Sequence, residues 1–175
     1  MIDGTSTRSK THKRRAARLA ACQALYEMEI AGASADGVLK EFFPNRWNLY
    51  EDESGRPCEA PFAEPDGDLL CAVVRGVAES MEAIDRMVDG ALVGGWSADR
   101  LEPLMRAIMR AGVFELLSRK DIPVRVVISE YVEVANAFFS GTEPSMVNAA
   151  LDRLGRALRS DEMKADTRDG GASNR

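Results

Sequence analysis

The chain has 175 residues, of which 45% are hydrophobic and 29% are charged, and its net charge at pH 7 is −5. These values are typical of one soluble globular domain with a substantial core, and no apolar run reaches the roughly 20 residues that a membrane-spanning helix needs. The N-terminus lacks an apolar signal segment, and the three scattered cysteines favour reduced thiols over a disulfide framework, so we expect a cytoplasmic protein.

Basic residues are concentrated in the first eighteen positions, although the chain as a whole is acidic. This stretch has a net charge of +5, so the remaining residues together carry −10. Asp3 is the single acid in this stretch. The cations are Arg8, Lys10, Lys13, Arg14, Arg15 and Arg18. The acidic remainder disfavours a general coating of nucleic acid, so any binding of a polyanion is expected to be local.

The first helix is predicted over residues 13–31, with residues 1–12 as a flexible basic arm. No Gly or Pro occurs from Ala16 until Gly32, and the intervening residues are good helix formers. Gly32 is a plausible C-terminal glycine, because this residue readily adopts the left-handed conformation that ends many helices.

Helical spacing places Arg15 and Arg18 on the apolar stripe that continues with Cys22. The helix is therefore expected to project its first turns beyond the core, where cations and unpaired backbone N–H groups together favour a polyanion. This pattern makes Arg14, Arg15 and Arg18 candidate contacts to nucleic acid. The alternative is a solvated basic tail without a specific role, and it applies most to the cations of the arm.

A short second helix is predicted over residues 35–43 and ended by Pro44. Residues 45–67 contain three prolines, two glycines and a cluster of acids. They predict a long, mostly irregular acidic loop on the surface, attached to the body by Trp47 and Phe62. Loops of this length are uncommon unless they are functional or mobile.

The next two helices are predicted from strong apolar periodicity. The first covers residues 68–92, where Gly76 and Gly90 would permit close packing or a kink. Ser97, with Asp99 after it, predicts the N-cap of the second. That second helix is expected to be central and buried, because it has the cleanest apolar stripe in the chain. The stripe consists of Leu101, Leu104, Met105, Ile108, Gly112, Val113, Leu116 and Leu117.

A turn at Ile122–Pro123 leads into two more predicted helices. Residues 124–139 begin with β-branched side chains, but the following apolar residues hold helical spacing: Val127, Tyr131, Val134, Ala135, Phe138 and Phe139. The last helix begins near Pro144 and places five residues in the core: Val147, Ala150, Leu151, Leu154 and Leu158. Residues 160–175 lack an apolar pattern and predict a disordered tail. The fold class is all-α, with about six to seven helices.

The sequence contains no arrangement typical of an enzyme, and we expect no catalysis, cofactor or metal. His12 is the single histidine and lies in the basic arm, which disfavours a nucleophile–histidine pair. Cys22 and Cys71 fall on apolar stripes and are interpreted as core residues, whereas Cys58 lies in the loop without a basic neighbour. No CxxC or HExxH motif occurs.

Three polar features have both a structural and a functional interpretation. Acids paired on helices, such as Asp85 with Asp89, are interpreted as solvated faces and not as an acid–base couple. Tyr26 follows the basic stripe, where a core tyrosine with its hydroxyl at the edge fits as well as a contact to a partner. Asn148 lies on an apolar helix, which favours a structural hydrogen bond over a ligand contact.

Three segments together resemble the NusB family of bacterial transcription antitermination factors: KRRAARLAACQALY, RAIMRAGVFELLSRKDIPVRVVISEYVEVANAFF and MVNAALDRL. The resemblance covers residues 13–158, in order. Its specific motifs are the arginine-rich helix start leading to QALY, and the pairing of IP, VVI-x-E and VE-x-A with VN-xx-LD. The chain departs from the family pattern at Ala16, Ser129 and Ala149, where the family has Arg, Asn and Gly, and the 45–67 loop matches poorly.

The resemblance implies an all-α fold of two small, roughly perpendicular helical bundles. It also implies a non-catalytic protein that binds the boxA element of nascent ribosomal RNA together with the ribosomal protein NusE. Such a protein joins the RNA polymerase antitermination complex and promotes processive rRNA transcription. By matching position, the RNA-binding segment of the family falls on Lys13, Arg14, Arg15 and Arg18. The NusE-facing surface of the family matches Tyr26 and Thr142.

Two alternatives accompany this resemblance. The N-terminal RNA-binding domain of an rRNA cytosine methyltransferase has the same fold, but that enzyme needs a catalytic domain, which we do not expect in 175 residues. The second alternative is a non-catalytic helical adaptor or homodimer whose basic arm is not specific for RNA. Self-association of this kind would hide the RNA-binding end.

Overall fold

The computed structural model describes residues 4–45 and 64–169, and within these ranges every regular element is a helix. The α-helices are α1 Gly4–Ala31, α2 Ala35–Asn45, α3 Gly67–Ala91, α4 Pro103–Ser118, α5 Val124–Phe138, α6 Glu143–Leu158 and α7 Ser160–Asp169. A short 3-10 helix, Ala98–Arg100, precedes α4. The predicted all-α class is confirmed. The chain divides into two compact units, Met1–Glu79 and Ser80–Arg175.

The first unit contains α1 and α2, which pack against each other, and the first part of α3. Apart from Arg18, the buried residues of α1 are mostly small: Ala17, Ala20, Ala21, Cys22, Ala24 and Leu25. Small side chains allow a neighbouring helix to approach closely. Arg75 of α3 donates from Nε to Asp36 Oδ1 of α2 at 2.9 Å, and this hydrogen bond raises the pKa of Arg75. The unit is therefore held by small-residue packing and by an exposed ion pair.

Helix α3 matches the predicted helix closely, but its irregularity lies at a different residue. Ser80 has non-helical dihedral angles, with φ −119° and ψ 19°. The kink expected at Gly76 or Gly90 is thus at a serine, whose hydroxyl competes for backbone groups and weakens a helix. A Cβ added at Gly90 would meet no atom within 4 Å, so packing does not require a glycine there.

The second unit is centred on α4, which packs against α5 and α6. Ile108 is fully buried in the middle of α4, and the prediction of a central, buried helix is confirmed. A Cβ added at Gly112 would lie 2.9 Å from Leu151 Cδ1, so the bare glycine lets α6 come close. Tyr131 donates its hydroxyl to Glu115 Oε1 at 2.9 Å, and both side chains are buried. The core therefore includes a hydrogen-bonded polar pair.

Two acids predicted to be solvated instead fasten elements of the second unit together. Arg110 donates from Nε and Nη2 to the two carboxylate oxygens of Asp85, at 2.7 and 2.8 Å. Asp89 Oδ1 accepts the backbone N–H of Ala98 at 2.6 Å. Asp89 is exposed, as a solvated face requires, whereas the Asp85 side chain is only 25% exposed. Periodicity alone does not reveal that each acid also has a partner outside α3.

The start of α4 differs from the prediction. Ser97 precedes the 3-10 helix and forms no side-chain capping bond, while α4 begins at Pro103 after Glu102. Proline suits the first helical position because the N–H that it lacks has no intrahelical acceptor there. Leu101, predicted on the stripe of this helix, is buried but precedes the helix.

The tail predicted to be disordered from residue 160 is helical through Asp169, so that prediction was wrong for α7. Glu162 Oε1 accepts the N–H of Val124 at 2.7 Å, at the start of α5. Arg159 donates from Nη2 to the carbonyl oxygen of Ile122 at 3.0 Å. Met163 is buried. Among its described side chains, Met163 and polar contacts to the turn and helix start around Val124 hold this segment, which explains why it shows no apolar periodicity.

Several smaller differences concern the ends of elements. Phe138, predicted on the apolar stripe, and Leu158, predicted in the core, are 43% and 37% exposed at the last residues of α5 and α6. Each extends a stripe beyond the part of the helix that is covered. Helix α2 continues through Pro44 to Asn45, within the usual spread of helix boundaries. Trp47, Phe62 and most of the predicted acidic loop lie outside the described residues.

Candidate nucleic-acid interface

The candidate cations lie inside α1 and not at its start. The helix begins at Gly4, whereas it was predicted from residue 13, because residues 5–12 contain neither Gly nor Pro. Lys13 is therefore more than two turns into the helix, where backbone N–H groups bond to carbonyls four residues earlier. The predicted combination of cations with unpaired N–H groups was wrong. Any anion that binds here meets side chains alone.

The four candidate cations differ in their exposure to solvent. Arg15 is exposed on α1, and Lys13 has a side chain 45% exposed. Arg14 is half-buried, and its Nε has no hydrogen-bond partner among the described residues. Arg18 is only 2% exposed. The structure therefore brings the four residues together on one helix but presents Arg15 and Lys13 most openly.

Arg18 belongs to the buried side of α1. Three residues along a helix leave an offset of about 60°, which places Arg15 outside and Arg18 inside the edge of the covered face. Buried arginines are rarely without a partner, and Arg18 has an interaction partner within the chain. A single helical stripe could not show on which side of this edge each arginine lies.

Acidic residues at the end of the predicted loop lie against the basic part of α1. Glu64 Oε2 is 3.2 Å from Lys13 Nζ, and Asp66 Oδ2 is 3.8 Å from Arg14 Nε. The backbone N–H of Asp66 also donates to the Lys13 carbonyl oxygen at 2.9 Å. Asp66 Oδ1 accepts the N–H of Leu69 at 3.1 Å, as an N-cap of α3 does. Lys13 and Arg14 thus already face carboxylates of the same chain.

The predicted partner-binding residues are both on the surface. Tyr26 is 38% exposed on α1, in the first unit. Thr142 is exposed and directly precedes α6, in the second unit. It lines a groove of about 220 Å³ together with Trp96, which is 50% exposed, and Met146. Arg153 closes one side of this groove by donating to the Ala91 carbonyl oxygen.

Three residues of interest were missed in the sequence. Glu64 and Asp66 were included in an undivided acidic loop, and only the Pro-Asp-Gly sequence before α3 marked them as a fixed helix start. Trp96 follows Gly94–Gly95, a pair with positive φ values of 74° and 76° in the connection between α3 and α4. Tryptophan is enriched at protein interfaces, so its position directly after this turn could have indicated an exposed aromatic residue available to a partner.

Asn148 is exposed and lies in a groove of about 360 Å³ between α5, α6 and α7. Arg156 lines the same groove and donates from Nε to Asp152 Oδ2 at 2.7 Å, a hydrogen bond that raises the pKa of Arg156. Ser129 donates from Oγ to the Val126 carbonyl oxygen at 3.1 Å. The groove therefore contains mixed charges that pair with each other.

Cys22 is buried as predicted, and Cys71 is partly buried next to Arg75. Cys58 lies outside the described residues. In the parts of the chain that the structure describes, no cluster of three or more His, Cys, Asp or Glu side chains could hold a metal ion. No helix within residues 4–45 and 64–169 is long and apolar enough to cross a membrane.

Comparison with known proteins gives consistent matches over most of the chain. A sequence profile of the NusB family matches residues 15–156. A transcription antitermination protein NusB of Maricaulis maris is 49% identical over 155 residues, which cover 88% of this chain and 92% of the relative. The protein of the same name from Bradyrhizobium diazoefficiens is 47% identical over 158 residues, covering 89% and 91%.

A solved structure has the same fold. T. maritima NusB superimposes with a TM-score of 0.67 at 27% sequence identity, and the match covers 86% of this chain and 96% of that one. The matched region in the sequence profile begins at Arg15.

Proposed function

Because the chain belongs to the NusB family, we propose that it binds the boxA element of nascent ribosomal RNA together with the ribosomal protein NusE. Its role is transcription antitermination, the function by which its relatives are named, and this role includes RNA binding. The protein acts without catalysis and without a cofactor, as a member of the RNA polymerase antitermination complex in the cytoplasm. Processive transcription of rRNA is the outcome.

The observation that carries the RNA-binding proposal is the exposed Arg15 on a locally basic helix of an acidic protein. Arginine suits phosphate because its planar guanidinium donates several hydrogen bonds in a fixed geometry. We assign Lys13, Arg14 and Arg15 to direct phosphate contacts. Arg18 has the supporting role of holding the helix surface beneath them, because its side chain is buried.

The partner proposal places NusE at Tyr26 and at Thr142. Tyr26 combines a partly exposed ring with a hydroxyl, and such residues are enriched in protein interfaces. Thr142 borders a groove with an exposed tryptophan, the residue type that most often dominates binding energy. Replacing Tyr26 by Asp should weaken the capture of NusE and leave helical content unchanged. Capture equal to that of the wild type would remove Tyr26 from the interface.

The RNA-binding proposal is tested by filter binding of the intact chain to boxA-like RNA and to a scrambled RNA of equal length, at two salt concentrations. Tighter binding to boxA, weakening as salt rises, is the expected result because phosphate contacts release counterions. Addition of NusE should increase the preference for boxA. Equal and weak binding of both RNAs, with and without NusE, would favour the alternative of a helical adaptor whose basic helix only aids solubility.

A further inference from the structure

Lys13, one of the proposed phosphate contacts, already pairs with a carboxylate of its own chain. Its Nζ lies 3.2 Å from Glu64 Oε2 and donates a hydrogen bond to that oxygen. A phosphate that approaches Lys13 therefore meets a carboxylate already in place. We infer that Glu64 is an intramolecular competitor of RNA, an autoinhibitory contact that lowers the affinity of the basic helix for phosphate. This inference rests on the proposed RNA-binding function.

The segment that carries Glu64 is held against α1 by its neighbour. The Asp66 N–H donates to the Lys13 carbonyl oxygen, and Pro65 between the two acids is buried. The Asp66 carbonyl oxygen also accepts the Leu70 N–H at 3.0 Å, which fixes Asp66 to the first turn of α3. Glu64 is thus delivered to Lys13 by a backbone that is tied to two helices.

The two carboxylates have different roles because they differ in exposure. The Asp66 side chain is 27% exposed and caps α3, so its removal would disturb the fold. The Glu64 side chain is 78% exposed, and its one hydrogen bond to a described residue goes to Lys13. An exposed ion pair of this kind is weak and is exchanged readily for another anion. Glu64 is therefore the displaceable competitor, and Asp66 is the fixed support.

Displacement of Glu64 has a predictable effect on salt dependence. When RNA phosphate replaces Glu64 at Lys13, the released carboxylate is again free to attract cations. This partly cancels the counterion release that normally makes RNA binding salt-dependent. Without Glu64, Lys13 acts as a full phosphate-neutralising cation, so both the affinity and its dependence on salt should increase.

The test measures the affinity of the full chain for single-stranded RNA as a function of salt concentration. It compares the wild type with Glu64→Gln. We expect binding about two- to five-fold tighter for the variant, the range that the strength of an exposed ion pair allows. The log–log salt slope should become more negative by up to about 0.7, the value for one phosphate on a single strand. Glu82→Gln, an exposed carboxylate of α3 in the second unit, is the matched control and should leave both values unchanged.

A double-mutant cycle with Lys13→Gln locates the effect. In that background Glu64→Gln should change neither affinity nor slope, because the competed cation is gone. Three outcomes would overturn the competition while leaving RNA binding intact. Glu64→Gln could bind RNA with the same affinity and salt slope as the wild type, it could bind more weakly, or Glu82→Gln could give an equal gain in affinity. Absence of salt-dependent RNA binding by the wild type and by Glu64→Gln would instead overturn the proposed function itself.

Discussion

The basic part of α1 and the cluster of α4, α5 and α6 each contain a side-chain hydrogen bond to a glutamate, but the two bonds lie in opposite surroundings. In the cluster, Glu115 and Tyr131 are fully buried, and their hydrogen bond has no competitor from solvent. On α1, Lys13 pairs with a Glu64 side chain that is mostly exposed. The buried tyrosine–glutamate hydrogen bond supports the fold, whereas the exposed lysine–glutamate ion pair can be exchanged for another anion. Burial, more than residue type, separates scaffold from binding surface.

The largest expected effect concerns the cluster. Ile108 is fully buried in the middle of α4, so Ile108→Ala removes apolar contacts and leaves a cavity. The free energy of unfolding should fall by about 2–5 kcal/mol. Urea unfolding followed by circular dichroism measures this change. A loss under about 1 kcal/mol would show that α4 is not the centre of the core.

Arg18 lies on the basic helix α1, but its side chain is buried, as Glu115 and Tyr131 are in the cluster of α4, α5 and α6. Arg18→Ala should lower the free energy of unfolding by about 1–3 kcal/mol, because its partner within the chain loses a contact and a buried space opens. The measurement is again urea unfolding, with Arg15→Ala as the matched exposed arginine. An equal free energy of unfolding for Arg18→Ala and Arg15→Ala would mean that the buried Arg18 side chain does not stabilise the fold.

The helices with apolar periodicity were predictable from sequence. Residues such as Val73, Val77 and Ile84 in α3 recur at helical spacing and are buried, because a core selects for an apolar face. The start of α4 was less predictable, since Ser97 resembles an N-cap while Pro103 sets the actual start. Capping patterns are short and occur often by chance.

The candidate site was predicted only in part, for a different physical reason. The local sequence shows that Arg15 and Arg18 are near each other on a helix. Whether the Arg18 side chain is buried depends on how the rest of the chain packs against that helix. The pairing of Lys13 with Glu64 joins residues far apart in the chain. Helix α7 was missed likewise, because its contacts run to the start of α5 through Glu162. Long-range polar contacts leave no periodic signal.

The smallest expected effect, and the most direct test, concerns the exposed Arg15 as a phosphate contact. The measurement is the salt dependence of RNA affinity for wild type, Arg15→Ala and the control Arg86→Ala, an exposed arginine of α3 in the second unit. The wild-type log–log slope should lie between about −1.4 and −2.1, because Arg14 and Arg15 contribute about −0.7 each and Glu64 partly cancels the contribution of Lys13. Arg15→Ala should make the slope about 0.7 less negative. The free energy of unfolding should change by less than about 0.5 kcal/mol, because Arg15 is exposed and alanine is a good helix former. Identical slopes for all three proteins would contradict RNA binding by the basic part of α1.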